Sequence, residues 1–431
     1  MTLVEKDKSF IWHPYTQMKN ALPIIPITSG KGSLLFDEQG KSYIDAIASW
    51  WTNLHGHANT YIANKIAAQA LQLEQVIFAG FTHQPAVELA EKLLEVLPKN
   101  QKKIFYSDNG SSAVEVALKM VLQYWHNLNE PKKIFIAFEN AYHGDTFGAM
   151  SISSRSAFTE PFNSLLFDVL TIPVPIKGQE EISLGLLKKL ANENEGKIAG
   201  FIFEPLIQGT AGMVMYAPEI LDSMIDVCKA NKIFCIADEV MTGFGRTGKI
   251  FACDYLHNQP DIFCLSKGIT GGFMPFGVTS CTQIIYDAFL SENKMKTFFH
   301  GHSYTANPLA CSAALASLEL LCSKQTEIDI DRISNKHRLF QDKIMGSKLL
   351  QEVRCLGTII AIEIKVKDGN YFSNLRDEMY TFFIGKGILL RPLGNILYIL
   401  PPYCTTDQEL DYIYSSIVEF LDGLKLVDFI S

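Results

Sequence analysis

The chain has 431 residues, of which 48% are hydrophobic and 19% charged, so it can bury a large core and is not disordered. Its formal net charge of −8, without a long basic run, argues against nucleic acid as a partner. The nine scattered cysteines form no C-x-x-C pair, which favours a reduced, cytoplasmic setting over a disulfide scaffold or a zinc site.

The first residues lack the apolar core of a signal peptide, and no stretch is apolar for the length of a membrane span. We therefore expect no membrane partner. Residues 1–50 contain short strands and turns, and residues 30–37 are typical of a hairpin. A length of 431 residues suggests about two domains.

The middle of the chain alternates between apolar strands and helical patterns. The predicted strands are residues 103–106, 133–138, 199–204, 233–237 and 262–265, and a helix is predicted from Ser112 to about His126. Continuous apolar strands separated by helices indicate a mostly parallel sheet covered on both faces. The sequence therefore predicts the doubly wound α/β class for a large domain, residues 51–322.

After about Leu321 the pattern changes to a polar helix at 332–344, strands at 358–363 and 397–400, and a last helix from Asp407. This composition indicates a smaller α+β domain. We expect residues 1–50 and 323–431 to build it together.

A turn at residues 107–112 lies between a strand and an amphipathic helix. Ser112 and Glu115 have the spacing of a capping box, which predicts that the helix begins there. The free backbone N–H groups beside Gly110 and Ser111 could then bind a phosphate. Taken alone, the same pattern also fits an ordinary capped helix.

Two polar residues follow apolar strands further along the chain. Asp238 ends the run 233–237, and Lys267 follows the run 262–265, so both could converge on one crevice. A lysine there can form an imine with pyridoxal 5′-phosphate (PLP), and an aspartate can keep the ring nitrogen protonated. Tyr142, after strand 133–138, could stack on the ring. Each residue also has an ordinary structural interpretation. Asp238 could cap a loop, Lys267 could be a solvated lysine at the end of a strand, and Tyr142 could be a buried loop aromatic.

Two other patterns would indicate different kinds of site. Residues 243–248 match G-x-G-x-x-G, which would suggest a dinucleotide site, but no convincing helix follows and the next strand ends at Lys267. His300 and His302 could suggest a metal, but no further ligands have the right spacing. We therefore expect no metal.

Residues 237–240, 242–248 and 266–268 resemble the class III (ω-type) aminotransferases of PLP fold type I, and the resemblance extends over nearly the whole chain. Residues 11–16, 50–51 and 390–392 are similar to the branch of this family that acts in biotin synthesis. That branch implies 8-amino-7-oxononanoate as the amino acceptor and S-adenosylmethionine as the donor.

The resemblance assigns cofactor roles to seven residues; five of them act in their own subunit, and the other two, His302 and Ser303, act from the neighbouring subunit. It implies that Gly110 and Ser111 bind the phosphate, that Tyr142 packs on the ring and lines the substrate pocket, and that Asp238 pairs with the ring nitrogen. Lys267 would be the imine lysine. Lys267, Asp238 and Tyr142 are thus the predicted catalytic residues.

The resemblance also implies substrate contacts. Tyr15 and Trp50 would line the substrate site, and Arg391 would bind the carboxylate of the acceptor. A long aliphatic acceptor needs an aromatic trench, to which Tyr398 could also contribute.

Gly301 would lie at the substrate pocket. His302 and Ser303 fall where the family closes the phosphate site from the neighbouring subunit, which implies a homodimer with shared active sites. The biotin enzymes commonly have Gly-Pro-Thr-Phe where this chain has residues 301–304, Gly-His-Ser-Tyr. Serine keeps the hydroxyl, whereas the histidine could alter the donor preference, so lysine stays open as a donor. Another ω-aminotransferase substrate, an aminomutase and a catalytically silent protein also remain alternatives.

Overall fold

The computed structural model describes residues 1–366 and 374–424. Its core is a seven-stranded sheet that confirms the predicted parallel arrangement. In spatial order the strands are Gln101–Ser107, Gly277–Thr282, Ile262–Leu265, Phe234–Asp238, Ile198–Phe203, Ile134–Phe138 and Leu170–Ile172. The five predicted strands are all present, each within two residues of its expected bounds. Apolar runs such as Ile198–Phe203 are buried throughout, as a sheet covered on both faces requires.

One strand of this sheet, Gly277–Thr282, was missed and runs antiparallel to both neighbours. Its sequence, GVTSCT, is small and polar, although every residue is buried. The hydroxyls find partners inside the protein: Thr279 Oγ1 donates to the carbonyl of Ala113 at 2.8 Å, and Ser280 Oγ donates to Gln101 at 2.7 Å. Burial of these polar groups is therefore compensated.

Helices cover both faces of the sheet. The predicted helix after the phosphate turn spans Gly110–Asn127 and buries Val114, Ala117, Val121 and Trp125. The other helices of residues 51–322 are Thr60–Ala70, Gln84–Val96, Phe147–Ile152, Glu180–Glu193, Pro218–Ala230, Gln283–Asp287 and Pro308–Leu321, with a small hairpin formed by Ile207–Gln208 and Val214–Met215.

The first and last parts of the chain share a sheet. Strands Ile27–Lys31, Leu34–Asp37 and Ser42–Asp45 form an antiparallel set that includes the predicted hairpin, and Ile388–Leu389 pairs parallel with Ser42–Asp45. A second sheet contains Leu350–Leu356, Ile359–Ile364 and Ile396–Ile399, and the remaining helices are Leu3–Phe10, Lys324–Ile344, Asn374–Gly385 and Asp407–Gly423. The domain boundaries near residues 50 and 322 remain a prediction.

Two further properties concern residues 1–366 and 374–424. No helix in these ranges is both long and apolar enough to cross a membrane. The same ranges contain no group of three or more histidine, cysteine, aspartate or glutamate side chains that could hold a metal ion.

Candidate active site

A cavity lies at the carboxyl ends of the central strands, where open α/β sheets bind their ligands. Its volume is about 450 Å³. Predicted and unpredicted residues together form its wall; among them are Trp51, Gly110, Ser111, Tyr142, His143, Glu204, Asp238 and Lys267. The structure thus brings five predicted cofactor residues to one place.

Lys267 follows the strand Ile262–Leu265 and starts a short 3-10 turn with a positive φ of 46°. Burial lowers the pKa of its amine to about 8, and the attraction of Asp238 and Glu204 offsets part of this shift. The amine nitrogen lies 4.4 Å from the ring centre of Trp51. A lysine in this setting is partly neutral near physiological pH, as a nucleophile or proton carrier must be.

Asp238 ends its strand and is held by a histidine that we did not predict. Its Oδ2 lies 2.6 Å from Nδ1 of the buried His143, and its Oδ1 accepts a hydrogen bond from the N–H of Val240 at 3.1 Å. His143 Nε2 is buried and has no hydrogen-bond partner within the described part of the chain. The contact fixes the orientation of the Asp238 carboxylate.

The N-terminus of helix Gly110–Asn127 reaches the same cavity. Gly110 and Ser111 are its first two residues, so their N–H groups have no partner within the helix. A Cβ on Gly110 would lie 2.8 Å from Val240 Cγ1, so only glycine fits there without movement.

The predicted capping box of this helix is wrong. Asn109 is the N-cap, and its side chain accepts from the N–H of Ser112 at 2.9 Å. Glu115 instead accepts from the hydroxyl of Thr146 at 2.6 Å and from the N–H of Gly148 at 2.7 Å. The helix therefore starts two residues earlier than predicted, which makes Gly110 and Ser111 part of it.

Tyr142 is tied to two carboxylates. Its hydroxyl donates to Asp145 Oδ2 at 3.0 Å and lies 3.2 Å from the hydroxyl of Tyr15, which also donates to Asp145. Its backbone N–H donates to Glu204 Oε1 at 3.2 Å. Burial, with these contacts, raises the pKa of Tyr142. Burial also raises the pKa of Glu204 to about 7, although that carboxyl accepts from the N–H of Gly209 at 2.9 Å.

The predicted substrate residues form an outer group. The rings of Tyr15 and Trp50 meet edge to face with centres 5.7 Å apart, and the guanidinium of Arg391 lies 4.6 Å from the ring centre of Trp50. Tyr398 lies elsewhere: it is only 1% exposed, and its hydroxyl accepts from Trp51 Nε1 at 3.1 Å. Tyr398 therefore supports a wall residue of the cavity and does not line it.

Gly301, His302 and Ser303 lie on a loop outside this cavity. The carbonyl of Ser303 accepts from Gln75 at 2.7 Å, and His302 Nδ1 accepts from the N–H of Tyr304 at 3.2 Å. The structure therefore does not bring these three residues to Lys267 within one chain.

The sequence matches the family model described as aminotransferase class-III over residues 15–421, so the chain belongs to the class-III aminotransferases. An adenosylmethionine-8-amino-7-oxononanoate aminotransferase of Synechococcus elongatus is 46% identical over 422 residues, 96% of this chain and 99% of the relative. These findings confirm the predicted family and the predicted type of enzyme.

Solved structures agree. The crystal structure of the adenosylmethionine-8-amino-7-oxononanoate aminotransferase from Methanocaldococcus jannaschii has a TM-score of 0.93 and 36% identity, covering 98% of this chain and 99% of the other. The ω-transaminase of Pseudomonas jessenii in complex with PMP has a TM-score of 0.92 and 28% identity, covering 98% of each chain. The predicted fold class is confirmed.

Proposed function

We propose that this chain binds PLP and transfers an amino group to 8-amino-7-oxononanoate, giving 7,8-diaminononanoate in biotin biosynthesis, with S-adenosylmethionine as the donor. The observation that carries the proposal is the meeting of Lys267, Asp238 and the N-terminus of helix Gly110–Asn127 in one cavity. The relatives named above support the choice of substrates.

The residues present fit the cofactor. Gly110 and Ser111 offer N–H groups for its phosphate, the glycine being required because a Cβ would meet Val240. Asp238, oriented by His143, can hold a protonated ring nitrogen. When bound, PLP supplies an electron sink for the negative charge left on a substrate carbon after proton removal.

Lys267 then moves the proton. With a pKa of about 8, about one amine in eleven is neutral at pH 7, compared with about one in three thousand at the ordinary value of 10.5. The neutral amine takes a proton from one carbon, and the ammonium returns it to another. A positioned acid–base group of this kind contributes about 10²–10⁴-fold in rate.

The outer group suits a long acceptor whose carboxylate lies far from its ketone. Arg391 would pair with that carboxylate, since a guanidinium makes two parallel hydrogen bonds to it. Tyr15 and Trp50 would cover the aliphatic chain. Both roles are part of the proposal.

We also propose a cytoplasmic homodimer. His302 and Ser303 carry polar groups on a loop outside their own chain's cavity. Because they do not line the cavity of their own chain, they could complete the phosphate site of a second copy.

The lowered pKa of Lys267 predicts how the rate of PLP capture depends on pH. Capture of added PLP by the cofactor-free protein needs a neutral amine, so its rate should rise with pH and reach half its maximum near pH 8. Stopped-flow absorbance would measure the rate. A midpoint near 10.5 would contradict the assignment, and Lys267→Ala, the control, should form no reducible covalent adduct.

A donor panel tests the substrates. The holoenzyme is incubated with 8-amino-7-oxononanoate and either S-adenosylmethionine or lysine, and the diamine product is quantified. We expect turnover with S-adenosylmethionine. Turnover with lysine alone would change the donor, and activity on 4-aminobutyrate or ornithine without diamine formation would reject the acceptor.

A further inference from the structure

The short turn Ala48–Trp51, between the first sheet and the large domain, has an unusual backbone. Ala48, Ser49 and Trp51 have positive φ values of 50°, 62° and 67°, and none of them is glycine. Non-glycine residues in such conformations cost about 1–3 kcal/mol each and persist only where the surroundings hold them. Something must therefore stabilise this turn.

A buried carboxylate holds its first half. Asp45 is 0% exposed, and its Oδ2 accepts from the N–H of Ser49 at 2.7 Å and from the Ser49 hydroxyl at 3.3 Å. Its Oδ1 accepts from the N–H of Ile47 at 3.3 Å. His57 Nε2 lies 2.8 Å from the same Oδ2, and Asn53 holds the other nitrogen of that ring at 3.1 Å.

A buried guanidinium holds the second half. Arg246 Nη2 donates to the carbonyl of Asn53 at 3.0 Å and, at the long distance of 3.5 Å, to that of Trp51. Its Nη1 donates to the carbonyl of Pro401 at 2.8 Å. The glycine-rich segment 243–248 thus presents an arginine to this turn.

The two tryptophans of the turn, Trp50 and Trp51, lie at opposite ends of the site. Trp51 lies over the amine of Lys267 at 4.4 Å, and Trp50 lies under the guanidinium of Arg391 at 4.6 Å. Consecutive side chains of an extended strand point in opposite directions as well. In this turn, however, the positive φ values determine the angle between the side chains of Trp50 and Trp51. The conformation of the turn therefore relates the reacting end to the outer end.

We propose that Asp45, paired with His57, is a positioning residue that sets this angle and so places Trp51 against Lys267 and Trp50 against Arg391. Neither residue lines the cavity, so their effect passes through the turn. The kinetic part of this inference rests on the proposed function, whereas its structural part does not.

The tryptophans themselves provide the test. The chain has four of them, Trp12, Trp50, Trp51 and Trp125. Labelling with 5-fluorotryptophan gives four ¹⁹F resonances, which single Trp→Phe variants assign. In Asp45→Asn, one of the two carboxylate oxygens becomes an NH2 group that cannot accept, so either the N–H of Ile47 or the groups bound to Oδ2 lose their acceptor. We therefore expect the signals of Trp50 and Trp51 to shift or broaden while the other two stay.

Asp37→Asn is the matched control. Asp37 lies in the same sheet and accepts from the N–H groups of Gln39 and Lys41, both at 2.9 Å, and in the described part of the chain none of its side-chain hydrogen bonds reaches the turn. It should move none of the four resonances. If Asp45→Asn leaves Trp50 and Trp51 unchanged as well, the proposal is wrong.

His57→Gln decides the case in which Asp45→Asn does not fold, because it keeps the carboxylate and removes only the ring. It should shift the same two signals by less, and unchanged signals would again overturn the proposal. In the holoenzyme of Asp45→Asn, KM for 8-amino-7-oxononanoate should rise by about tenfold relative to the wild type, which corresponds to a loss of about 1.4 kcal/mol in binding. A wild type inactive on this acceptor would reject the proposed function and leave the ¹⁹F result standing.

Discussion

The two ends of the site are built differently. At the inner end, Lys267 and Asp238 follow neighbouring strands of one sheet, and His143 fixes the carboxylate from a third loop. At the outer end, Tyr15 and Trp50 are 45% and 40% exposed and come, with Arg391, from opposite parts of the chain. The inner end is shielded from solvent, and the outer end is open to water.

Under the proposed function, this difference separates the residues of the chemical step from those that select the substrate. Charges in a shielded environment interact strongly, because water does not screen them. Aromatic contacts and ion pairs at an open edge contribute less, since solvent competes with each of them. We therefore expect substitutions at the inner end to reduce kcat and those at the outer end to raise KM.

Asp238→Asn should have the largest effect on turnover. The neutral amide cannot keep the ring nitrogen protonated, and removing one partner of a buried pair costs about 3–5 kcal/mol. We expect kcat to fall by about 10²–10³-fold with little change in KM. Single-turnover kinetics of the donor half-reaction would measure the loss.

Asp261→Asn is its control. Asp261 is a half-buried carboxylate, and it accepts from the N–H of Cys235 at 2.8 Å at the opposite end of the same two strands. Its loss removes a similar charge far from the cavity, so kcat should change by less than about threefold. Equal losses in the two variants would mean that sheet stability, and not the ring contact, determines the rate.

Arg391→Ala should act on binding. The carboxylate of the acceptor would lose its paired cation, and Trp50 would lose the guanidinium on its face. We expect KM for 8-amino-7-oxononanoate to rise by about 10–100-fold, because charged hydrogen bonds contribute about 1.5–3 kcal/mol. KM for the donor should change less.

Steady-state kinetics with each substrate varied would separate the two values. Arg338→Ala, which removes an exposed arginine of the helix Lys324–Ile344, should alter neither. A fall in kcat with unchanged KM in Arg391→Ala would place this residue with the inner end.

The sequence predicted the inner end well, because parallel strands place their last residues at one edge of a sheet. The ends of two apolar runs were enough to predict that Lys267 and Asp238 lie close together. His143 and Glu204 were missed as site residues, because a histidine after a tyrosine and a glutamate after a strand carry no signal of which loops meet. The strand Gly277–Thr282 was missed because its small polar residues do not form an apolar run.

The outer end could not be derived from local patterns. The most distant members of this group, Tyr15 and Arg391, are hundreds of residues apart in the sequence. Only the family resemblance predicted that these two residues and Trp50 belong to one site. Tyr398 shows that residue type and closeness in sequence do not suffice to identify a site residue. It is aromatic and near Arg391 in the sequence, yet it is buried behind Trp51. Strand alternation decides which face such a residue takes, and a shift of one residue in the predicted register moves every side chain of the strand to the other face.

The smallest expected effect concerns Phe158 at the outer end. Its ring meets that of Tyr15 edge to face with centres 6.2 Å apart, and it is 46% exposed. An aromatic pair of this kind contributes about 0.5–1.5 kcal/mol, so Phe158→Ala should raise KM for the acceptor by about 3–10-fold and leave kcat unchanged. Phe162 is a close match, being 40% exposed and paired with Phe147 at 6.2 Å, but it has no contact with Tyr15 among the described ring pairs. Phe162→Ala should therefore change KM by less than about twofold, and similar values in the two variants would show that the outer aromatic group ends at Tyr15 and Trp50.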